Sequence, residues 1–160
     1  MSVSRRATVD LEADAPLLVE SALEPVRYRV YPQTPLSEVV DLMVRREVRA
    51  LPVVGENFEV LGIITSGDAL SIVLRDRPGE EAGDPPREAL AARDVMTRTV
   101  MCVSETQPLI DVGRMIINRD VDQLPVVREG ALIGLITREA ILRALHSGAS
   151  ETRDERQDDS

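Results

Sequence analysis

Aromatic side chains are nearly absent from this 160-residue chain, which contains 2% aromatic residues and no tryptophan. Apolar residues nevertheless make up 43% of it, so a buried core has to be built from smaller aliphatic side chains. The chain is long enough for one well-buried domain and short for two independent ones. We therefore expect one compact module made of many short β-branched segments.

Cysteine and histidine are equally scarce, with one of each, Cys102 and His146. A single thiol cannot form an internal disulfide, and so few ligands do not make a zinc site. Cys102 lies in an apolar run, and we expect it to be a buried, unreactive thiol. His146 falls at the predicted end of a helix, where the helix dipole favours a positive charge.

Excess positive charge and long hydrophobic runs are missing as well. The formal net charge of −9 disfavours DNA and RNA as partners, because their binding rests on Lys and Arg contacts to phosphate. No apolar stretch approaches the roughly 20 residues that cross a bilayer, and residues 1–12 lack the hydrophobic core of a signal peptide. We expect a cytoplasmic protein that binds neither nucleic acid nor membrane.

The residue groupings of an enzyme are not recognisable either. Catalysis needs a nucleophile with a base, a positioned pair of carboxylates or a metal cluster. Asp120 and Asp122 lie two residues apart in a predicted turn, which is typical of solvated charges. The sequence therefore predicts a protein that is not an enzyme and that holds no metal and no cofactor.

What the sequence does contain is an internal repeat. When Pro35 is aligned with Pro108, an offset of 73 residues, eight positions between residues 36 and 54 meet identical residues. After the next turn the offset falls to 72, and further identities follow at Gly62, Ile64, Thr65 and Leu70. A one-residue deletion in the turn accounts for the change of offset.

Both repeats predict the same order of elements, β-α-β-β-α. In the first repeat, Thr34 is the expected N-cap and Pro35 the first residue of an amphipathic helix. Strands are expected at residues 51–54 and 58–64, and a second helix at about 67–75. In the second repeat we expect strands at 99–103, 124–127 and 131–136 and helices at 108–118 and 138–146.

These elements give repeat 1 at residues 17–75 and repeat 2 at residues 92–146. The intervening residues 76–91 hold prolines and glycines among charges, which predicts a solvated, mobile linker. The polar ends at residues 1–16 and 147–160 are expected to be disordered.

The two repeats resemble the cystathionine β-synthase (CBS) domain, and the resemblance covers about residues 17–146. It is carried by Ala50-Leu51-Pro52-Val53-Val54 with Gly62-Ile63-Ile64-Thr65, by Gln123-Leu124-Pro125-Val126-Val127 with Gly134-Leu135-Ile136-Thr137, and by Asp94-Val95-Met96. It implies an α/β (α+β) fold in which two CBS repeats pack with pseudo-twofold symmetry into a Bateman module, as in stand-alone bacterial CBS proteins.

For function, the resemblance implies a regulatory sensor that binds AMP, ADP, ATP or S-adenosylmethionine in the clefts between the repeats. It further implies a homodimer that signals to an effector protein, which the sequence does not name. The alternative is a structural or partner-binding CBS dimer with empty clefts.

The resemblance also implies binding residues. Asp68 would accept hydrogen bonds from the ribose hydroxyls, while Thr65 and the N–H groups at the start of the next helix would face phosphate. Arg49 would lie near phosphate, and the adenine side would be lined by Thr99, Met101 and Val121.

Most of these residues have a plain structural alternative. Thr65 with Asp68 three positions later also matches a helix capping box. Arg49 can equally be a solvated surface residue, and Met101 and Val121 ordinary core residues.

The second repeat departs from the pattern at two positions. Ala140 stands where the ribose acid is expected, and Asp122 stands where the first repeat has Arg49. A carboxylate near phosphates is repulsive unless a cation or an arginine intervenes. We expect the second cleft to lack its sugar contact and to bind at least about tenfold more weakly.

Overall fold

A computed structural model of the protein describes residues 16–75, 86–98 and 100–158, with side chains up to residue 148. The described residues form two compact units. The Asp68 unit comprises the described part of Val26–Met101 together with Glu129–Leu132. The Ala140 unit comprises the described part of Met1–Pro25, Cys102–Arg128 and Ile133–Ser160.

The Asp68 unit is built on helices and a hairpin: α1 (Leu36–Arg46), β1 (Ala50–Val54), β2 (Val60–Thr65), α2 (Ser66–Val73) and the short α3 (Ala92–Val95). β1 and β2 pair antiparallel, with Leu51 opposite Ile64. Where the first strand of this repeat is expected, the structure has a single parallel bridge between Val30 and Val53.

The start of α1 differs from its prediction by one residue. Pro35, not Thr34, is the N-cap, and no side chain caps the helix there. The Thr34 hydroxyl instead accepts a hydrogen bond from the Tyr31 backbone N at 2.9 Å, and so it stabilises the turn before the helix.

The second repeat follows the same plan with β3 (Val103–Ser104), α4 (Leu109–Arg119), β4 (Gln123–Arg128), β5 (Ala131–Thr137) and α5 (Arg138–Asp158), of which only Ala131 and Leu132 belong to the Asp68 unit. Its strands lie in the order β3-β4-β5, and β3 is parallel to β4 with Val103 opposite Val126. The β-α-β-β-α order is confirmed. The first strand is shorter than predicted, since residues 100–102 are not in a strand and residue 99 lies outside the described residues.

The turns account for the change in repeat offset. Between β4 and β5 the chain turns through Glu129 and Gly130, both with positive φ (51° and 82°), the geometry of a tight two-residue hairpin. The turn between β1 and β2 is longer, and the register shifts between Val53 and Val54. The additional residue is therefore absorbed in the first hairpin.

Most buried side chains occupy corresponding positions of the two repeats, and nearly all are aliphatic. Helix α1 buries Leu36, Val39 and Met43, and α4 buries the equivalent Leu109, Val112 and Ile116. Among the described residues, no polar or charged residue is buried. Each unit is thus stabilised by a small aliphatic core, in which burying one such side chain contributes about 1.5–3 kcal/mol.

Each unit also contains a segment that precedes the other repeat in sequence; we call residues 17–24 and 90–97 the leading segments. The first pairs with the second repeat, through bridges from Leu18 to Pro108 and from Glu24 to Leu135. The second pairs with the first repeat, through Ala91 to Pro35 and Thr97 to Ile63.

This exchange corrects the predicted boundaries, because residues 17–25 belong with the second repeat rather than with repeat 1. The physical reason is that β2 and β5 each expose an edge of unpaired backbone groups, which a leading segment satisfies. Each segment exchanges two backbone hydrogen bonds with its strand. Thr97 N donates to Ile63 O at 2.8 Å and Ile63 N donates back to Thr97 O, and Glu24 and Leu135 are paired in the same way.

The leading segments approach so closely that β2 and β5 need a glycine beside them. A Cβ on Gly62 would lie 2.8 Å from the Thr97 carbonyl oxygen, and one on Gly134 would lie 2.7 Å from that of Glu24. The glycine shared by both repeats therefore marks the contact with the exchanged segment.

Two further predictions change at the ends of the repeats. Helix α5 continues to Asp158, past the predicted helix end at residue 146, so His146 is not at a helix end. The cause is composition, because residues 149–158 contain neither proline nor glycine and include several good helix formers.

In the predicted linker, Arg87–Ala89 forms a 3₁₀ turn and residues 90–91 are already part of a leading segment. Residues 1–15 and 76–85, which hold most of the predicted tail and linker, lie outside the described residues. Within the described ranges, no helix combines the length and apolar character needed to cross a membrane.

Candidate functional site

Thr65 and Asp68 form a reciprocal capping box at the start of α2. The Thr65 hydroxyl accepts a hydrogen bond from Asp68 N at 3.1 Å, and Asp68 Oδ2 accepts one from Thr65 N at 3.2 Å. Thr65 is exposed and Asp68 is half-buried. The structural alternative considered for these residues is therefore realised, and it holds the carboxylate at the first turn of the helix.

Arg49 lies at the same end of the hairpin. Its carbonyl accepts a hydrogen bond from Ser66 N at 2.7 Å, and the adjoining Ala50 pairs with Thr65 in the β1–β2 register. The Arg49 residue is exposed. Three of the predicted site residues, one cation, one hydroxyl and one carboxylate, are thus brought together where β2 passes into α2.

The residues predicted for the adenine side fall in both units or outside the described residues. Met101 is half-buried in the Asp68 unit. Val121 belongs to the Ala140 unit, where its carbonyl accepts a hydrogen bond from Arg138 Nε at 2.8 Å. Thr99 lies outside the described residues. The residues that pack against β2 are Met96 and Thr97, which come just before Thr99 in the sequence.

The equivalent position of the Ala140 unit keeps the threonine and loses the acid. The Thr137 hydroxyl accepts a hydrogen bond from Ala140 N at 3.1 Å, as the Thr65 hydroxyl does from Asp68. Ala140 is 5% exposed and offers only a methyl group. The reciprocal half of the capping box is therefore absent from this helix start.

A different carboxylate comes to this place from the leading segment. Glu24 Oε1 accepts a hydrogen bond from the Thr137 hydroxyl at 3.4 Å and another from Arg143 Nη2 at 2.9 Å. Neither Glu24 nor Arg143 was predicted from the sequence as a site residue. Extending the 73-residue offset back to Leu17 and Leu90 would have located the segment, but not its partners.

Asp122 does not stand alone at the position equivalent to Arg49. Arg138 Nε lies 3.7 Å from Asp122 Oδ1, and Arg138 Nη2 lies 3.2 Å from Asp120 Oδ1. An arginine therefore does intervene beside this carboxylate, at the position where the first repeat has Ser66. One guanidinium thus contacts both carboxylates.

Cys102 is half-buried rather than fully buried, at the approach to β3. Burial raises the pKa of its thiol above the ordinary value, because a thiolate loses solvation there. The thiol is thus held in its less reactive protonated form at neutral pH.

Comparison with known proteins agrees with this architecture. The family described as CBS domain matches residues 24–75 and 92–147. An uncharacterized 33.4 kDa protein of Thermofilum pendens is 27% identical over 128 residues, which make up 78% of this chain and 39% of that protein. This chain therefore spans well under half the length of that relative.

Solved structures share the fold. The crystal structure of CBSX2, a protein of Arabidopsis thaliana, in complex with AMP superposes with a TM-score of 0.68 at 24% identity, covering 81% of this chain and 96% of CBSX2. The CBS domain pair of protein MJ0100, in complex with 5′-methylthioadenosine and S-adenosyl-L-methionine, gives a TM-score of 0.64 at 21% identity, covering 84% and 99% of the two chains.

The two matched ranges cover more than half of the sequence and coincide with the two β-α-β-β-α repeats of the structure. The fold is that of solved CBS pairs. This chain belongs to the CBS domain family and carries a pair of CBS domains.

Proposed function

We propose that this CBS pair is a non-enzymatic regulatory module that binds an adenosine-containing nucleotide at the start of α2. The observation that carries the proposal is the grouping of Thr65, Asp68 and Arg49 at one end of the β1–β2 hairpin. Two structural relatives support the ligand class, since one was solved with AMP and another with 5′-methylthioadenosine and S-adenosylmethionine.

In this proposal Asp68 holds the sugar. A carboxylate offers about four acceptor positions, so the bond from Thr65 N leaves capacity for two ribose hydroxyls. The capping box fixes the carboxylate before the ligand arrives, which lowers the entropy cost of binding.

Thr65 and Arg49 serve the phosphate. Ser66 N and Asp68 N are already bonded to Arg49 O and to the Thr65 hydroxyl, which leaves Gly67 N among the first N–H groups of α2. This group has no partner within the helix and lies at its positive end, where an anion is favoured. Arg49, whose backbone carbonyl bonds to Ser66 N, is the proposed cationic contact. AMP, ADP and ATP fit this arrangement, and Thr99, Met101 and Val121 remain the proposed lining of the adenine side.

The proposed output is a change in a homodimer or in the contact with an effector protein. Apolar residues are exposed at equivalent positions of the two repeats: Val44 and Ile117 are each 71% exposed, and Leu70 and Leu142 are 56% and 67% exposed. Exposed apolar side chains that recur in both repeats are favourable for association.

Light scattering tests the dimer. The wild type is expected at twice the 17.6 kDa chain mass, and the Val44→Asp/Ile117→Asp variant at the chain mass. A wild type that stays monomeric at micromolar concentration removes this part of the proposal.

The second candidate is a structural CBS dimer with empty clefts. It is favoured by the capping box itself, which satisfies the Thr65 hydroxyl and a carboxylate oxygen of Asp68 without any ligand. In that case Asp68→Ala would destabilise the protein and nothing else would change.

A thermal-shift screen with AMP, ADP, ATP and S-adenosylmethionine separates the two candidates. A ligand at 100 times its Kd stabilises the fold by about 2.7 kcal/mol. The sensor proposal expects such a shift for at least one nucleotide, and expects it to be lost in Asp68→Ala while the variant still unfolds cooperatively. Absence of a shift with every ligand favours the structural dimer.

A further inference from the structure

Met96 packs its thioether on a glycine of β2. A Cβ built on Gly62 would lie 2.7 Å from Met96 Sδ and 2.8 Å from the Thr97 carbonyl oxygen, so the sulfur and this oxygen converge on the open face of the glycine. Met96 is half-buried and also packs against the core of the Asp68 unit. The sulfur therefore lies where the leading segment of residues 90–97 meets β2, in a side chain that keeps some contact with solvent.

The other unit has a leucine at the equivalent position of its leading segment. A Cβ on Gly134 would lie 2.8 Å from Leu23 Cγ, so Leu23 covers Gly134 as Met96 covers Gly62. Leucine and methionine have similar volumes and replace each other in cores at small cost. The chemical difference between the two contacts is therefore the sulfur, which only the Asp68 unit has at this position.

Peroxides oxidise methionine to its sulfoxide, which turns a flexible apolar side chain into a polar one. When hydrogen peroxide transfers an oxygen atom to Met96 Sδ, the O–O bond breaks, a sulfur–oxygen bond forms and water leaves. The sulfur gives up the two electrons that reduce the peroxide. The new oxygen is a hydrogen-bond acceptor, and on the open face of Gly62 it would meet a second acceptor, the Thr97 carbonyl oxygen. The sulfoxide is therefore unfavourable in this contact.

We propose that Met96 is an oxidation switch: its sulfoxide loosens the leading segment of residues 90–97 from β2 and weakens the nucleotide site at Asp68. The effect on the leading segment stands by itself, whereas the effect on the nucleotide rests on the proposed function. Methionine sulfoxide reductases reverse the oxidation. The Ala140 unit, which has Leu23 at this position, does not respond.

The path from Met96 to the nucleotide site is short. The adjoining Thr97 exchanges backbone hydrogen bonds of 2.8 and 3.0 Å with Ile63. Ile63 lies two residues before Thr65, which forms the capping box with Asp68 at the end of the same strand. Loss of the pairing at Ile63 therefore removes the support of β2 just before the capping box.

Thermal unfolding of the full chain carrying Cys102→Ser, before and after treatment with hydrogen peroxide, tests the first effect without oxidation of the single thiol. Oxidation is expected to lower the Tm by at least about 2–4 °C, the shift that the smallest cost of an unbonded buried polar atom gives in a chain of this size. Peptide mass spectrometry is expected to find the added oxygen on Met96. Treatment with methionine sulfoxide reductases is expected to restore the Tm.

Met96→Leu is the matched variant, because it gives the first unit the side chain that the second unit uses. It is expected to keep its Tm after the same treatment, although Met101 and Met115 are also half-buried and can still be oxidised. Leu23→Met is the converse change and is expected to enlarge the loss of Tm on oxidation.

Three results overturn the inference: an equal fall of the Tm in Met96→Leu, a Met96 sulfoxide that leaves the Tm unchanged, or a Met96 that stays reduced while Met101 or Met115 is oxidised. Should Met96→Leu fail to fold, the site of oxidation, the reversal by the reductases and the Leu23→Met variant still decide.

AMP titration separates the inference from the proposed function. If the reduced chain binds AMP, the oxidised chain is expected to bind it about fivefold more weakly or less tightly still, the lower end of typical coupling between two sites. Equal AMP affinity in both forms, together with a lowered Tm, overturns the link between Met96 and the nucleotide site. If the reduced chain does not bind AMP, the proposed function fails, and the Tm decides the effect on the leading segment.

Discussion

The Asp68 unit and the Ala140 unit share a backbone and differ in chemistry at the start of their last helix. Ser66 N donates to Arg49 O at 2.7 Å, and its counterpart Arg138 N donates to Asp122 O at 3.1 Å. The backbone bond is kept, but the basic residue differs. In the first repeat it is the acceptor, Arg49, and in the second it is the donor, Arg138. Backbone pairing therefore preserves the repeat, while the side chains beside it have diverged.

The carboxylate beside the capping threonine also differs between the two units. In the Asp68 unit it belongs to the helix that it caps, whereas in the Ala140 unit Glu24 reaches Thr137 from a segment more than 100 residues away in sequence. Its position thus depends on the exchanged leading segment. The carboxylate next to the capping threonine thus comes from the helix itself in one unit and from the leading segment in the other.

The largest expected effect comes from blocking the leading segments. Gly62→Ala and Gly134→Ala each place a Cβ under 3 Å from a backbone oxygen, and we expect each to reduce the free energy of unfolding by about 1–3 kcal/mol. Urea unfolding measures this loss. Equal losses in the two variants mean that both units depend equally on their exchanged segments.

Gly113→Ala is the matched control, because a Cβ there would lie 3.6 Å from Ile141 in ordinary contact. In the interior of α4, alanine is expected to raise stability by about 0.5–1 kcal/mol. A neutral or stabilising Gly134→Ala would contradict the pairing of residue 24 with β5.

The helix caps give the next effect. Thr65→Ala and Thr137→Ala each remove an N-cap acceptor, which costs about 1 kcal/mol. Thr137→Ala also removes the bond to Glu24, so its loss should be the larger of the two. The serine variants retain the hydroxyl and are expected to recover most of the stability. Chemical denaturation with identical losses for both alanine variants would show that the Glu24 bond contributes nothing.

The smallest effect is a pH dependence that belongs to the Ala140 unit alone. Two hydrogen bonds from Arg128, each 2.6 Å long, lower the pKa of Glu105 below its ordinary value of 4.5. The counterpart of Glu105 in the first repeat is Pro32, which carries no charge. Because the folded pKa is lowered, the stabilisation is present above the unfolded pKa and is lost as pH falls through the folded one.

Glu105→Gln tests that sign. The stability difference between wild type and variant is expected to be constant near neutral pH and to shrink once the pH falls below about 4.5. Urea unfolding across that range measures it. A difference that stays the same down to pH values well below the ordinary pKa would contradict the role given to Arg128.

Much of this comparison could be predicted from the sequence. The 73-residue offset, the apolar periodicity and the Thr65–Asp68 spacing predict both repeats and the capping box, because these features are local and recur. The exchange of leading segments could not be predicted, since Leu17 and Leu90 are the only identical pair among residues 17–24 and 90–97. The Glu24 contact depends on that exchange and so was missed with it.

The central claim is that a nucleotide binds to one unit of the pair, at Asp68. Titration calorimetry with AMP tests it most directly: the account predicts one site per chain, weakened in Asp68→Ala by about 1.5–3 kcal/mol, or tenfold or more, and unchanged in Thr137→Ala. Two equal sites per chain, or a single site that survives Asp68→Ala and disappears in Thr137→Ala, would contradict the account.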